Sequence, residues 1–370
     1  MADTAPSPEG QSSVPVKGYR LEGISPRAFQ HPADRAATAA LGSIPYLDTV
    51  VRKLIELGYE RALRQAYLGS SVRLSEDQLG EVWRDHALAY ATLDMNDVPD
   101  LYLSQFPMPN ALAIGAKRPI VVVQSELLEI LDQPQRRAVL AHEAAHILSD
   151  HQLYRTALTI LVLMTQSARL PLPLAPVRTA LMEWGRATEL SADRAAALVT
   201  RDPVAVCRTL MSISAGAMTD RLDLDAFMRQ GLDYTEKGNP LERLTRLMLD
   251  LGVTHPMVVK RTHELMAWVR NGDYDRIVGS HEYPRRDDPV DPRADGGEAV
   301  SFYAERVRDA FRDAGESVNS AGKQLAGWLR RDAPAEEEAG VEAEDVAEDV
   351  DVAEDADVAE DADVEDELDG

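Results

Sequence analysis

The chain has 370 residues, of which 45% are hydrophobic, and it carries a formal charge of −24 at pH 7. This length is enough for one large domain or two modest ones, and the negative charge argues against nucleic acid or an anionic membrane surface as a partner. The only cysteine in the sequence, Cys207, excludes an intramolecular disulfide and a cysteine-rich metal site.

The negative charge is concentrated at the C-terminus. Residues 333–370 contain 19 Asp and Glu residues and no Lys or Arg, which leaves a formal charge of −5 on the rest of the chain. The six-residue repeats in this segment, VAEDVD and VAEDAD, combine like charges with few large apolar groups. We therefore predict a disordered acidic tail over 332–370.

The N-terminal stretch is rich in Pro, Ser and Gly, and we predict disorder over residues 1–20. It lacks the basic and apolar regions of a signal peptide. No apolar run in the chain reaches 18 residues, so a membrane span is not expected. We predict a cytoplasmic protein whose contact with a membrane, if there is any, is peripheral.

Helical periodicity begins near Pro32, and we predict a helical N-terminal part over 30–97. A second helix within it is predicted to begin at Ser75, because Ser75 and Gln78 have the spacing of a capping box. The apolar stripe of the first helix consists of Leu47, Val50, Val51, Leu54 and Leu57.

Three short runs with β-strand character follow, namely DLYLS at 100–104, NALAIG at 110–115 and PIVVVQ at 119–124. Because the last two are joined by only a few residues, we predict a small antiparallel sheet. Asp132 and Gln135 again have capping-box spacing and predict the start of the next helix. The fold class is therefore predicted to be α+β and mainly α-helical.

The C-terminal half is predicted to be helical up to residue 270. Residues 281–298 are predicted to be a linker, and 299–331 form one long amphipathic pattern. Because its charges are mixed, we expect this helix to dock on the protein's own body or on a partner rather than on lipid. The remaining helical patterns lie at 183–200, 203–217, 239–251 and 256–270.

The stretch VLAHEAAHILSDH, residues 139–151, has two histidines four residues apart with a glutamate directly after the first. Residues four apart share one face of a helix, so His142 and His146 can offer imidazole nitrogens to one Zn²⁺. Glu143 lies about 100° around the helix and can reach a water activated by the metal. We therefore predict one Zn²⁺ per chain, with Glu143 as the general base that hydrolyses a peptide bond.

A catalytic zinc needs a third protein ligand, and its place in the sequence separates the classes of metallopeptidase. The metzincin pattern would require Gly at position 149 and His at position 152, where this chain has Ser149 and Gln152. His151 is one residue out of register, and we interpret it as a surface residue of the zinc helix. These residues exclude a metzincin.

Glu189, in the segment ELSADRAA, is the better candidate for the third ligand. Its helix presents Asp193 one turn later on the same face, where it can accept a hydrogen bond from a ligand histidine. The alternative for Asp193 is an ion pair with nearby Arg186 or Arg194. Two histidines and one glutamate with an open fourth position form a thermolysin-like zinc site.

Two segments carry a resemblance to a known family: the one from NALAIG through HEAAH at 142–146, an HExxH motif, and ELSADRAA. They resemble the gluzincin metallopeptidases related to the CAAX prenyl protease and the heat-shock protease HtpX. The resemblance covers about 98–270, and it implies a zincin-like catalytic core there within a metallopeptidase domain at 21–280. In that family the glutamate of an E-x-x-x-D motif supplies the third zinc ligand, which corresponds to Glu189 here.

The same resemblance implies two further roles. The family carries a His-Pro after the third ligand, so His255 in THPMVVKR is a candidate to stabilise the tetrahedral intermediate; the alternative is a histidine that caps or packs at a helix start. The edge strand before the zinc helix pairs with an extended substrate in this family. It corresponds to Asn110, Ala111, Leu112 and Ala113.

Membrane members of the family have transmembrane helices before the zinc helix and between it and the third ligand. Here the second position is taken by residues 153–182, which are apolar and interrupted by prolines. We consider three interpretations of this segment: a lid over the site, a core helix, or a segment that contacts a membrane. A soluble or peripherally attached relative is the expected form.

The resulting prediction is a zinc-dependent endopeptidase that acts on a peptide or protein substrate. The alternative is a non-proteolytic, zinc-containing scaffold protein that recruits partners through the C-terminal helix and the acidic tail. Glu143 favours the enzyme, because a structural zinc site has no use for a base. No oligomeric state is predicted.

Overall fold

The computed structural model describes residues 18–43, 47–54, 60–105, 110–116, 118–166, 175–236 and 257–289. These sequence-based predictions lie wholly or largely outside the described residues: the disorder over residues 1–20, the helix at 239–251, the role of His255, the amphipathic helix at 299–331 and the acidic tail. The domain boundaries given above stay predictions.

Helices make up most of the described chain. None of the described helices is both long enough and apolar enough to cross a membrane. Short 3-10 helices cover Pro26–Ala28 and Gly216–Arg221. The α-helices are, in chain order, α1 (Pro32–Ser43), α2 (Leu47–Leu54), α3 (Glu60–Ser70), α4 (Gly80–Thr92), α5 (Ser125–Ile130), α6 (Gln133–Leu148), α7 (Gln152–Gln166), α8 (Ala175–Thr200), α9 (Pro203–Ala215), α10 (Leu224–Glu236), α11 (Val258–Arg270) and α12 (Asp273–Ser280).

The strands in the described part of the chain form one four-stranded mixed sheet. They are β1 (Val72–Arg73), β2 (Leu101–Ser104), β3 (Ala111–Ile114) and β4 (Ile120–Gln124), in the order β1-β2-β4-β3. The predicted hairpin is present, since β3 and β4 pair antiparallel. The sheet as a whole is not purely antiparallel, because β4 inserts between β2 and β3 and runs parallel to β2. The predicted fold class, α+β and mainly α-helical, is confirmed.

The helix predicted to begin at Ser75 begins later, at Gly80. Ser75 and Gln78 do not cap a helix but exchange two backbone hydrogen bonds of 3.1 Å each in a tight turn. Leu79 then adopts a left-handed backbone conformation, with φ of +53°, before the helix starts. The predicted start is therefore wrong, because the turn already satisfies the backbone groups that a capping box would serve.

Alanines hold α6 and α8 together. Small side chains at a helix interface allow the two backbones to approach closely, so polar residues on one helix can reach those on the other. On its opposite side α6 meets the sheet, where Leu140 packs with Leu101, Val121 and Val123. The buried alanines that these two helices contribute to one hydrophobic cluster are Ala138, Ala141, Ala144, Ala145, Ala192, Ala195, Ala196 and Ala197.

Helix α7 covers the first half of the apolar segment at 153–182. Its side chains Ala157, Ile160 and Leu161 are buried, whereas Leu163 is exposed. The helix packs against α2 and α8 and reaches the end of β3. Between residues 153 and 166, the segment is thus part of a core helix that also borders the site described next.

Candidate metal centre

Helix α6 carries the HExxH motif and begins at the predicted position. Asp132 Oδ1 accepts a hydrogen bond of 3.0 Å from the Gln135 amide, and the Asp132 amide donates one of 2.9 Å to Gln135 Oε1. This reciprocal pair is the predicted capping box, which satisfies two amides that lack a partner at a helix start. The helix then presents His142, Glu143 and His146 three turns later.

Helix α8 brings Glu189 to the two histidines. The Nε2 atoms of His142 and His146 are 3.1 Å apart, and each lies 3.3 Å from an oxygen of the Glu189 carboxylate. Two ligands of a tetrahedral zinc with bonds of about 2.0–2.1 Å lie about 3.3 Å apart. The donor atoms of this cluster therefore fit zinc in type, number and spacing.

Asp193 and Arg261 support this cluster from behind. Asp193 Oδ1 lies 3.1 Å from His142 Nδ1, where an acceptor can orient a ligand histidine. Arg261 of α11 donates to both oxygens of Asp193, at 2.8 and 2.6 Å, and its NH1 lies 3.1 Å from Glu189 Oε2. Burial alone would raise the pKa of Asp193, but the Arg261 guanidinium and His142 together outweigh burial and lower this pKa. Asp193 is therefore ionised.

A second guanidinium lies among the donor atoms themselves. Arg155 of α7 places NH1 2.6 Å from His146 Nε2 and 2.9 Å from Glu189 Oε1. Burial and then Arg155 lower the pKa of His146 well below its usual value, so this imidazole is neutral. Because the guanidinium and a metal cation need the same lone pairs, Arg155 has to turn away from His146 and Glu189 before a metal can bind.

His151 is buried, and its interpretation as a surface residue is wrong. That interpretation assumed that the zinc helix continues through residue 151. Instead α6 ends at Leu148, and Asp150 has a left-handed φ of +55°. The chain therefore turns back, so that His151 Nδ1 lies 3.0 Å from His146 Nδ1.

Glu143 is hydrogen-bonded to the edge strand β3. Its Oε2 accepts a bond of 2.7 Å from the Ala113 amide. Alternate amides of a strand face the same side, and those of residues 111, 113 and 115 point away from β4. A side chain accepts each of them: Asn110 Oδ1 from Ala111 at 2.9 Å, Glu143 from Ala113, and Thr156 Oγ1 from Gly115 at 3.1 Å.

A cleft of about 250 Å³ opens beside the cluster and is lined by His142, Glu143 and Glu189. Asn110 and Ala111 of the predicted substrate strand also line it, whereas Leu112 packs on the opposite face of the sheet. The rest of the lining is mainly apolar: Leu127, Ala138, Val139, Ala196, Val206, Leu210, Ile213 and Val258.

Three of these polar residues were not predicted to lie at the site, namely Arg155, Arg261 and the buried His151. Arg155 and Arg261 reach the site from helices α7 and α11, and no local spacing marked them. His255 lies outside the described residues, so its predicted role stays a prediction. Of the alternative partners considered for Asp193, Arg186 pairs with Glu183 and Arg194 lies over the ring of Trp268.

Zinc binding to the metal-free protein is expected to tighten as the pH rises towards 9. Burial alone would lower the pKa of His142, but the Glu189 and Asp193 carboxylates outweigh burial and raise this pKa to about 9. Because a ligand imidazole must be unprotonated, binding below pH 9 expels one proton, and the affinity should rise about tenfold per pH unit. Competition against a chromophoric chelator at pH 7, 8 and 9, corrected for the chelator's own protonation, measures this. An affinity independent of pH over this range would contradict it.

Comparison with known proteins identifies the family of the chain. Residues 74–269 match peptidase family M48. The chain is 34% identical over 259 residues to the plastoglobule-localized metallopeptidase 48, chloroplastic, of Arabidopsis thaliana, an alignment that covers 68% of this chain and 74% of that protein.

Two bacterial proteins are also similar, each described as a protease HtpX homolog. The one from Aquifex aeolicus is 28% identical over 206 residues, covering 46% of this chain and 66% of that protein. The one from Bacillus velezensis is 33% identical over 116 residues, covering 29% of this chain and 39% of that protein. No solved structure matches the chain at a significant level. The resemblance inferred from the motifs is thus confirmed, and the chain belongs to peptidase family M48, a family of metallopeptidases.

Proposed function

We propose that this protein is a zinc-dependent endopeptidase in which His142, His146 and Glu189 hold one Zn²⁺. The observation that carries the proposal is the convergence of two imidazole nitrogens, 3.1 Å apart, on the Glu189 carboxylate, with each nitrogen 3.3 Å from a different carboxylate oxygen, beside the carboxylate of Glu143. Family membership supports peptide-bond hydrolysis as the reaction. The proposed location is cytoplasmic, as predicted from the sequence.

In this proposal the metal, Glu143 and Asp193 each have a separate chemical role. When bound, zinc supplies a Lewis acid that polarises a carbonyl group and lowers the pKa of water. Glu143 takes the proton from the attacking water and passes it to the nitrogen of the leaving amine. Asp193, through His142 Nδ1, keeps the ligand imidazole in one tautomer and one orientation.

We further propose that the substrate binds as an extended strand along the outer edge of β3. That edge already has its amides bonded to side chains, so a substrate carbonyl has to replace Glu143 at the Ala113 amide. The exchange conserves the hydrogen bond and releases Glu143 to act on water. The apolar lining of the adjacent cleft favours a substrate with an apolar side chain next to the scissile bond.

The scaffold alternative has less support. A structural zinc needs no acid or base, whereas Glu143 here is a buried carboxylate at the edge of a cleft beside the donor atoms. The amphipathic helix and the acidic tail, on which that alternative depends, lie outside the described residues.

The proposal is tested by metal analysis and cleavage on the full chain. We expect one zinc per chain by mass spectrometry, and cleavage of casein and of internally quenched peptides that a chelator abolishes and added zinc restores. Peptides with Leu beside the scissile bond should be cleaved faster than otherwise identical peptides with Asp there. Stoichiometric zinc without cleavage of any peptide would favour the scaffold instead.

A further inference from the structure

Behind the donor cluster runs a chain of buried polar groups that the proposed chemistry does not use. His146 turns Nε2 towards the donors and Nδ1 towards His151, whose Nδ1 is 3.0 Å away. On the far side of that ring, His151 Nε2 lies 3.4 Å from Asp34 Oδ2. The side chains of His146, His151 and Asp34 are 0%, 4% and 0% exposed, so water cannot replace these contacts.

The Asp34 carboxylate is fixed in turn. Its Oδ2 accepts a hydrogen bond of 2.6 Å from Ser191 Oγ, and its Oδ1 accepts one of 3.1 Å from Thr38 Oγ1. Asp34 lies in the first turn of α1, where the helix dipole favours a negative charge. Ser191 lies on α8, two residues after Glu189, so the same helix supplies the third donor and anchors this carboxylate.

The order of these contacts defines the tautomers once a metal is bound. A neutral imidazole that binds zinc through Nε2 carries its proton on Nδ1. His146 Nδ1–H then donates to His151 Nδ1, which has to be the unprotonated nitrogen of its ring. His151 therefore carries its proton on Nε2, the nitrogen that faces the Asp34 carboxylate.

We propose that His151 and Asp34 are positioning residues for the metal ligand His146. They act as a carboxylate–imidazole relay that fixes its tautomer and the direction of its Nε2 lone pair. The inference rests on the zinc site proposed above. It extends the metal centre to helix α1, which precedes the segment at 74–269 that matches the family. Losing the partner of a metal-bound histidine typically weakens metal binding about 10–100-fold.

Three variants test this relay. His151→Phe keeps an aromatic ring against Trp184, whose centroid is 5.4 Å away, but removes the acceptor for His146 Nδ1–H. His151→Asn places an amide oxygen near the position of Nδ1 and restores the acceptor. The matched control is His86→Phe, since His86 is a fully buried histidine that packs on Trp83 and bonds the Pro99 carbonyl.

We expect His151→Phe to raise the zinc dissociation constant about 10–100-fold and to change the visible spectrum of the cobalt-substituted protein. His151→Asn should stay within about threefold of wild type, and His86→Phe should leave the dissociation constant unchanged although it lowers the melting temperature. Wild-type affinity in folded His151→Phe would overturn the relay, as would an equal loss of affinity in His86→Phe.

A measurement on the unaltered protein covers the case in which His151→Phe does not fold. In the zinc-loaded chain labelled with ¹⁵N-histidine, NMR should find His151 protonated on Nε2 and unprotonated on Nδ1. A proton on His151 Nδ1 would overturn the inference. Failure of the wild-type protein to bind zinc would instead overturn the proposed function, so the two failures are distinguishable.

Discussion

Replacing Glu143 with glutamine is expected to abolish peptide cleavage while leaving zinc content and fold intact. The amide oxygen can still accept the hydrogen bond from the Ala113 amide, now 2.7 Å from Glu143 Oε2, so the local packing is kept. The amide cannot take a proton from water, and loss of a general base lowers rates by about 10²–10⁴-fold. The value of kcat/KM for a quenched peptide, together with zinc analysis of the same sample, measures both effects.

The control for this substitution is Glu129→Gln on the exposed side of α5, which makes the same chemical change away from the metal centre. It should cleave like wild type. If Glu143→Gln retained zinc and cleaved within about threefold of wild type, Glu143 would not be the base. Loss of zinc in Glu143→Gln would instead mean that this carboxylate helps to hold the metal.

Replacing Arg261 with methionine is expected to destabilise the metal-free protein by about 3–5 kcal/mol. Arg261 is buried and pairs with two buried carboxylates, those of Asp193 and Glu189. Methionine has a similar length but leaves both carboxylates without this cation, and a buried unpaired charge is costly. Urea unfolding in the presence of a chelator measures the change, and added zinc should recover part of the loss by neutralising Glu189.

The matched control is Arg276→Met. Arg276 also donates to a carboxylate, that of Asp273 at 2.8 Å, but its side chain is 58% exposed. Exposed pairs of this kind contribute about 0–1 kcal/mol, so the control should unfold nearly like wild type. A loss below about 1 kcal/mol for Arg261→Met would contradict the role of burial in this pair.

Two capping-box signatures in the sequence had different outcomes, for a physical reason. Asp132 and Gln135 cap α6 as predicted, whereas Ser75 and Gln78 form a turn before α4. Both pairs have the required residue types and spacing. The segment around Ser75 follows β1 directly, and the Leu74 amide bonds to the Leu101 carbonyl of β2. The backbone there is bound to the sheet, so a tertiary contact decides the local structure.

The metal donors could be predicted from the sequence because each helix that carries them has its polar residues at a four-residue spacing. Residues four apart place His142 and His146 on one face of α6, and likewise Glu189 and Asp193 on one face of α8. The alanines between the two helices then bring those faces together. The roles assigned to these residues remain proposals, but their proximity was predictable.

The partners of these donors were not predictable from spacing. Arg261 meets Asp193 across 68 positions of sequence, and no periodic pattern encodes such a contact. His151 was misinterpreted because its position depends on where α6 ends. The left-handed residue Asp150 decides that; aspartate adopts this conformation more often than most residues, but one aspartate does not fix where a helix ends. Helix periodicity thus predicts which residues share one face of a helix. Which residues contact that face depends on where each helix ends and on how the helices pack against one another.

The bonded edge of β3 has a consequence for solubility. An open strand edge offers unpaired amides to any other extended chain, including a second copy of the same protein, and it is a common starting point for aggregation. In β3 the side chains of Asn110, Glu143 and Thr156 occupy the outward amides. An arriving strand has to displace these side chains, so it gains fewer net hydrogen bonds than it would at an open edge. The same three side chains therefore make sheet extension by another copy less favourable than it would be at an open edge.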